Sequence, residues 1–495
     1  MKSYHLITYG CQMNLSDSER IAAVMKKMKL KPTAKNAADL IIFNLCSVRQ
    51  KSVDKVWGMV GNLSRTTPHL RGSRGISKNK KPLLIVTGCI LPVDKKKFIK
   101  KVDLVLDIKD LNEWPEIITR YSLSVTHYKK ETTSNYFSIS PNYNSKFQAY
   151  VPIMTGCDNF CSYCAVPYVR GHEVSRPAAE IIKEVNKLVV QGYKFITLLG
   201  QNVNSYQDKV NSKFQIPASS AGRLNPKKIL NSKFKIQNSI VNFPALLKLI
   251  DSIPGDYWLS FITSHPKDMS NELIGCFKNC QHLIPYLHLP LQAGSDKILK
   301  AMNRKYSAKH YLNLISKIRR SIRNISISTD VIVGFPGETQ KDFQKTVKLM
   351  KLIKFDMAYL AEYSPRPNTA AAKMKDGISS TEKHRRYQTL NKILKKTALE
   401  NNKKMIGQIT EVLIERIVET DLDLSVYGQT RNFKNIKIIC HPDESRDPEK
   451  QLLNSLPRQQ AGGSGAGIIN NLIGNFIKVK ITKANPWSLE GKMIK

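Results

Sequence analysis

Cys157, Cys161 and Cys164 lie in one short stretch, Gly156-Cys157-Asp158-Asn159-Phe160-Cys161-Ser162-Tyr163-Cys164. Buried cysteines seldom cluster by chance, so three thiols this close together read as ligands. A zinc site draws its four ligands as two separated pairs and closes tetrahedrally, and this trio has no second pair at that spacing. A four-iron cube held by three thiolates instead leaves one iron open to another ligand. An open iron is what a redox enzyme needs in order to chelate a cofactor. A zinc knuckle and three unrelated buried thiols are the competing readings.

A second set of thiols emerges from the elements around it. Leu6-Ile7-Thr8-Tyr9 runs into Gly10-Cys11, Leu40 to Leu45 runs into Cys46, and Leu83 to Gly88 runs into Cys89. Each is a short apolar run of the kind buried in a parallel sheet. Ser16-x-x-Glu19 and Ser47-x-x-Gln50 read as capping boxes ahead of helices carrying Ile21, Val24, Met25 and Met28, and Val53, Val56, Trp57 and Val60. Strand–helix alternation predicts a doubly wound sheet whose ligands bind beyond the carboxyl ends of its strands. All three cysteines fall on that edge, near helix N-termini that favour thiolate. Their convergence suggests a second cluster with its own open iron; three incidental core thiols are the alternative.

A chain of 495 residues has room for about three domains. The formal charge of +39 permits a polyanionic partner, although the Lys-, Asn- and Ile-rich composition could produce such a charge by itself. Met1 to Gly10 has neither an apolar signal core nor a cleavage site, and no apolar run approaches bilayer length. Nine cysteines argue against a disulfide framework. A cytoplasmic protein without membrane association is the expectation.

In the middle, Tyr150 to Met154, Phe195 to Leu199, Trp258 to Ile262 and Ile325 to Ser328 read as strands. They alternate with helices that include Ile181, Ile182, Val185, Leu188 and Val189, Tyr311 to Ile318, and Phe343 to Ile353 after a Thr339-x-x-Asp342 cap. Repeated βα units make an α/β barrel or partial barrel. Gln201-Asn202, Ser264-His265-Pro266, His288 to Gly294 and Asp330 to Thr339 gather after the strands, where a barrel's active face lies. Taken singly, His265 and His288 read as satisfied core or loop histidines. Cys276 and Cys280, with His282 nearby, read as core thiols.

Two stretches break the pattern. Gln207 to Asn242, in which Asn211-Ser212-Lys213-Phe214 recurs as Asn231-Ser232-Lys233-Phe234 (and earlier at 144–147), reads as a disordered insert. His441 to Gly467 reads likewise, and Gly463 to Gly467 follows no strand, so it is no phosphate loop. Arg65 to Lys81 reads as a surface loop, and Thr132 to Asn135 opens a linker. A basic helical run from Glu382 to Lys404 leads to strands at Ile409 to Ile414 and Phe476 to Ile481. Short strands in a basic module suggest a β-barrel of the kind that holds nucleic acid. The expected domains are therefore 1–125 (α/β), 145–378 (partial barrel, insert about 207–242), 379–406 (helical connector) and 407–495 (β-barrel, insert about 440–468).

The C-x3-C-x2-C spacing, with Tyr163 just before the last thiol, resembles the signature of radical S-adenosylmethionine (SAM) enzymes. With both trios, the chain resembles the radical SAM methylthiotransferases. Tyr9-Gly10-Cys11-Gln12-Met13-Asn14, Cys46-Ser47-Val48-Arg49, Val166-Pro167-Tyr168-Val169-Arg170-Gly171, Thr263-Ser264-His265-Pro266 and Tyr363-Ser364-Pro365-Arg366-Pro367 are similar to the MiaB-type tRNA branch. The ribosomal-protein branch usually has Pro-Lys after its first cysteine, where this chain has Gln12-Met13. Leu45, Ala293 and Asn368 depart from the usual Thr, Ser and Gly of the family, and none is a ligand.

The resemblance implies that Cys157, Cys161 and Cys164 hold a [4Fe-4S] cluster that binds SAM, with Tyr163 in the cofactor site. It implies that Cys11, Cys46 and Cys89 hold a second [4Fe-4S] cluster that delivers sulfur. The substrate would be a tRNA carrying N6-isopentenyladenosine beside the anticodon, with a second SAM as methyl donor. A 5′-deoxyadenosyl radical would take hydrogen from C2 of the base, extruded from the stack for the purpose. Electrons would come from a flavodoxin- or ferredoxin-type donor, the tail would be a TRAM module contacting tRNA, and the enzyme would be a monomer. Alternatives are a threonylcarbamoyl-adenosine tRNA or a ribosomal protein as target, and a non-catalytic iron–sulfur protein that binds RNA.

Overall fold

The computed structural model describes residues 1–65, 81–122, 136–209, 240–420, 423–439 and 472–494. The stretches after Arg65 and around Thr132, the repeats at Asn211 and Asn231, and the segment His441 to Gly467 lie outside the described residues.

The first third is a parallel sheet of β1 (Ser3–Tyr9), β2 (Lys31–Pro32), β3 (Leu40–Cys46), β4 (Leu83–Cys89) and β5 (Leu104–Val105), in the order β2-β1-β3-β4-β5. Every residue of β3 is buried because both faces are covered. Leu40 and Ile42 pack with Ile21, Val24 and Met25 of α1 (Gln12–Lys27). Ile41, Phe43 and Leu45 turn the other way, onto Val53, Val56 and Val60 of α2 (Gln50–Arg65). Each such fully buried aliphatic side chain contributes about 1.5–3 kcal/mol. The reversal of strand order lies between β1 and β3, where sheets of this order bind ligands.

Two of the expected caps fail. The first helix begins at Gln12, four residues before Ser16, because Cys11 takes the cap and Asn14 Oδ1 accepts from the Cys11 amide at 3.2 Å. Ser16 and Glu19 are instead buried inside the helix. Ser47 Oγ has no hydrogen-bond partner; its amide is spent on Cys89 O at 2.7 Å, continuing the strand ladder before Gln50 opens α2.

The middle is an arc of parallel strands. β6 (Gln148–Pro152), β9 (Phe195–Leu199) and β12 (Trp258–Phe261) form one side. β13 (Tyr286–His288), β14 (Ser326–Val333) and β15 (Met357–Glu362) form the other. Leu259 joins the two sides, its amide donating to His282 O at 2.8 Å and its carbonyl accepting from Ile284 N at 2.9 Å. The helix Gln340–Ile353 starts at the expected Thr339–Asp342 capping box. Asp330 to Val333, placed by the sequence just after the strand, belong to β14, whose ladder with β15 extends to Val333↔Glu362. A small ribbon of β7 (Met154–Thr155) and β8 (Val174–Ser175) closes the base of the first cysteine loop. Between them α5 (Val166–Arg170) follows that loop, and α6 (Ala178–Val190) follows β8. The ends of the Gln207–Asn242 insert pair as β10 (Gln207–Lys209) and β11 (Ile240–Asn242), so the insert leaves the barrel on an antiparallel stem.

The helix Ser380–Lys403 leads to a closed barrel of β16 (Ile409–Thr420), β17 (Asp423–Thr430), β18 (Asn435–Ile439), β20 (Leu489–Met493) and β19 (Phe476–Ala484) in that order. This tail seats on the amino ends of the central strands. Phe433 packs on Phe195 and Tyr286, and Phe476 packs on Trp258, each of these partners being the first residue of its strand. Lys434 pairs with Asp356, just ahead of β15. The tail is therefore at the far end of the barrel from its mouth.

Candidate active site

The first trio stands on the carboxyl edge of the N-terminal sheet. Cys46 and Cys89 end adjacent strands and face each other in register. Gly88 makes the approach possible, since at φ +106° a Cβ would lie 2.2 Å from Leu45 O. Cys11 caps α1 beside them. Under these thiols Asn14 Nδ2 donates to Asn44 Oδ1 at 3.0 Å, and Asn44 Nδ2 donates to Ser18 Oγ at 2.9 Å and to Asn14 O at 2.8 Å. Four polar groups thus satisfy one another in a dry place, which fixes the edge geometry.

Helix N-termini do not make thiolates of all three, as the sequence suggested. Burial, then the charge of Cys89, pushes Cys11 up. Cys46 is lowered by a hydrogen bond from Cys89, and Cys89 is pushed up by that bond and by burial.

The second trio sits in the loop between β7 and α5. Gly156 has φ +81°, and a Cβ there would meet His172 O at 1.8 Å, so only glycine allows the loop to leave its ribbon. Phe160 also takes a left-handed φ of +45°, held by Asn303 Nδ2 donating to its carbonyl at 2.9 Å. Ser162 Oγ donates to Ala301 O at 2.8 Å, and its carbonyl accepts from Ala371 N at 2.7 Å. Arg304, 9% exposed, donates to Cys161 Sγ at 3.3 Å. Asn159 donates to Cys157 Sγ at 3.4 Å. Burial, then the charge of Cys161, pushes Cys164 up to about 12, and burial also raises Cys157 and Tyr163.

One short helix links the two trios. Helix α5 starts just after Cys164 and ends at Arg170, whose Nε donates to Cys89 Sγ at 3.0 Å. Six residues at helical rise span only roughly 9 Å. Arg366, beyond the carboxyl end of β15, donates to Gln50 Oε1 at 2.6 Å, at the start of α2. The sheet's carboxyl edge thus closes over the barrel's carboxyl mouth.

Both donor sets suit iron–sulfur clusters. In a cluster each thiolate binds a different iron. Among the described residues no three His, Cys, Asp or Glu side chains close on a single point as a one-ion chelate would require. Arginines on Cys89 and Cys161 supply charge to set against thiolates and sulfides. At the mouth, Gln201 Oε1, Asn202 Oδ1 and Gln292 Oε1 are buried without a partner. Such acceptors suit a cofactor rich in amino and hydroxyl groups, since an unmet buried acceptor is costly.

His265 is structural. Its Nδ1 accepts from Lys267 N at 3.2 Å, and burial, Arg304 and Lys267 hold it down to about 2. His288 lies inside β13, bonded to Ser328 Oγ at 2.9 Å and Asp330 Oδ2 at 3.2 Å. Cys276 and Cys280 are buried in the barrel core. Sequence reasoning missed Arg170, Arg304, Asp17 and Asn14. Asn14, Arg170 and Arg366 stood inside motifs quoted for the family resemblance, but nothing there gave them a partner.

Comparison with known proteins agrees with this construction. Residues 151–350 match the radical SAM superfamily, and residues 3–107 match the Uncharacterized protein family UPF0004. The fold is similar to that of a radical S-adenosylmethionine methyltransferase, TsrM, from Kitasatospora setae, at a TM-score of 0.50 and 11% identity over 75% of each chain. Fold and cysteine loop together define a radical SAM enzyme, a class that binds SAM at a [4Fe-4S] cluster. A tRNA-2-methylthio-N(6)-dimethylallyladenosine synthase of Clostridium botulinum is 36% identical over 501 residues, covering 99% of this chain and 97% of the relative. Counterparts from Thermoanaerobacter (36%, covering 99% and 92%) and Clostridium novyi (35%, covering 100% and 97%) align equally fully. The chain belongs to the family of tRNA-2-methylthio-N(6)-dimethylallyladenosine synthases.

Proposed function

We propose that this protein adds a methylthio group to C2 of N6-isopentenyladenosine beside the anticodon of tRNA. Cys157, Cys161 and Cys164 would hold the cluster that binds SAM. Cys11, Cys46 and Cys89 would hold a second cluster. The observation that carries this reading is the short helix α5, which begins just after Cys164 and ends at Arg170, bonded to Cys89. When bound, these groups supply reductive cleavage of the SAM sulfonium bond, a source of sulfur, and a methyl donor.

The chain's own residues do the positioning. Arg304 offsets charge at Cys161, and the stapled loop holds Phe160 and Tyr163 in place. The unmet acceptors of Gln201, Asn202 and Gln292 give a polar cofactor its partners at the strand ends. Tyr359, His288 and Asp330 line the same mouth, His288 packing edge-on to Tyr359 at 5.8 Å. Enclosure between the sheet edge and the mouth excludes water and stray hydrogen donors. A base read there has to leave its stack. The tail, at the far end of the barrel, would contact RNA away from the reacting nucleoside. An electron donor of flavodoxin or ferredoxin type completes the system.

The test is mass analysis of tRNA nucleosides from a deletion strain. Loss of 2-methylthio-N6-isopentenyladenosine, restored by the cloned gene, is the expected result. Its persistence, with loss instead of a methylthio threonylcarbamoyl nucleoside or of a ribosomal-protein modification, would reassign the target.

A further inference from the structure

Arg170 makes two bonds from one buried side chain. Its Nε donates to Cys89 Sγ at 3.0 Å and its Nη2 to Asp17 Oδ2 at 2.5 Å, with the side chain 5% exposed and that of Asp17 0%. The other oxygen of Asp17 accepts from Tyr136 OH at 2.5 Å. Asp17 lies on α1, whose cap is Cys11, and Arg170 ends the helix that follows Cys164. The pair therefore stands on the short path between the two trios. A buried ion pair adds little to stability, because desolvation offsets attraction, but its geometry is demanding. A guanidinium is always charged and its planar fork can serve two acceptors at a fixed angle; an ammonium cannot.

We propose that Arg170 is a positioning residue for the sulfur-delivering cluster, setting its reduction potential through a fixed charge on Cys89 and its alignment with the SAM site through Asp17. This rests on Cys11, Cys46 and Cys89 holding a cluster. Reduction adds an electron to an already negative centre, so a buried positive charge at hydrogen-bond distance favours the reduced state.

The test uses the full chain with Cys157, Cys161 and Cys164 all changed to Ala, which leaves one cluster to be read. Its midpoint is followed by EPR during reductive titration. Adding Arg170→Gln should lower the reduced-to-oxidised ratio at a given potential at least tenfold, which is 59 mV for a one-electron couple. Arg170→Lys keeps the charge and should recover most of that shift. In the otherwise unaltered enzyme, however, Arg170→Lys should still form 5′-deoxyadenosine while losing most methylthio product, because alignment needs the fork. If Arg170→Gln leaves Asp17 unpaired and the chain unfolds, Arg170→Gln with Asp17→Asn removes both charges. That variant should still shift the midpoint to more negative values, since the arginine is the nearer charge. An unchanged midpoint in the Gln variants, at unchanged iron and sulfide content, overturns the proposal. A parent with intact Arg170 that purifies without iron and sulfide overturns the second-cluster reading beneath it, which is a different result.

Discussion

Cys157, Cys161 and Cys164 are held by a loop, whereas Cys46 and Cys89 are held by the ends of strands and Cys11 by the cap of a helix. The loop obtains its shape from local strain, with Gly156 and Phe160 at positive φ, and from staples to residues 301–304 and 371. The sheet edge obtains its shape from register, with Cys46 opposite Cys89 because β3 and β4 pair along their whole length. One thiol set is thus defined over a few residues, and the other only once a sheet has formed. In each trio two of the thiols are raised, by burial in three cases and by the bond to Cys46 and then burial at Cys89, and one buried arginine donates to a sulfur. Similar chemistry reached by two constructions means that damage should reach each trio by a different route.

The sharpest separation is by ligand removal. Cys161→Ala should abolish 5′-deoxyadenosine formation, measured by chromatography after dithionite reduction. Cys46→Ala should leave that product measurable while stopping methylthio insertion. Equal loss in both variants would break the division between the sites. Next come the glycines. Gly156→Ala forces a Cβ to within 1.8 Å of His172 O, and Gly88→Ala to within 2.2 Å of Leu45 O, both at positive φ. Each should cost about 1–3 kcal/mol in strain alone, read as lowered Tm. Iron content should fall at the loop trio in the first variant and at the sheet trio in the second. Loss of the same cluster in both would show that the constructions are not independent.

Affinity for RNA should depend on neither trio. Binding of the modified tRNA should fall by about 0.7–0.9 log units per log salt for each neutralised phosphate, with the same slope in Cys46→Ala and Cys161→Ala. A flat response would make the net charge of +39 an accident of composition. Smallest of all, Thr339→Ala removes a cap whose hydroxyl bonds Asp342 rather than either trio and should cost about 1 kcal/mol with no change in product ratio. A shift in that ratio would tie this helix to the division of labour.

Fold class was legible because it rests on short-range pattern. The apolar runs before Cys46 and Cys89 became strands, the Thr339–Asp342 box became a helix start, and the tail strands became a closed barrel. Helix α1 was misjudged at its start because Ser16, Asp17, Ser18 and Glu19 look like a solvated turn and are in fact buried against the barrel's approach. Burial of a polar residue depends on what arrives from elsewhere in the chain, as Arg170 and Tyr136 arrive at Asp17. The spacing of three cysteines in one loop, and a thiol at or just beyond the end of each of three apolar runs, were written in the residues themselves, because chain connectivity alone brings such neighbours together. That the end of α5 meets the sheet's edge, that arginines sit on Cys89 and Cys161, and that the tail lies under the barrel's floor were decided only by tertiary packing. Those contacts join residues far apart in sequence, and no local propensity encodes them.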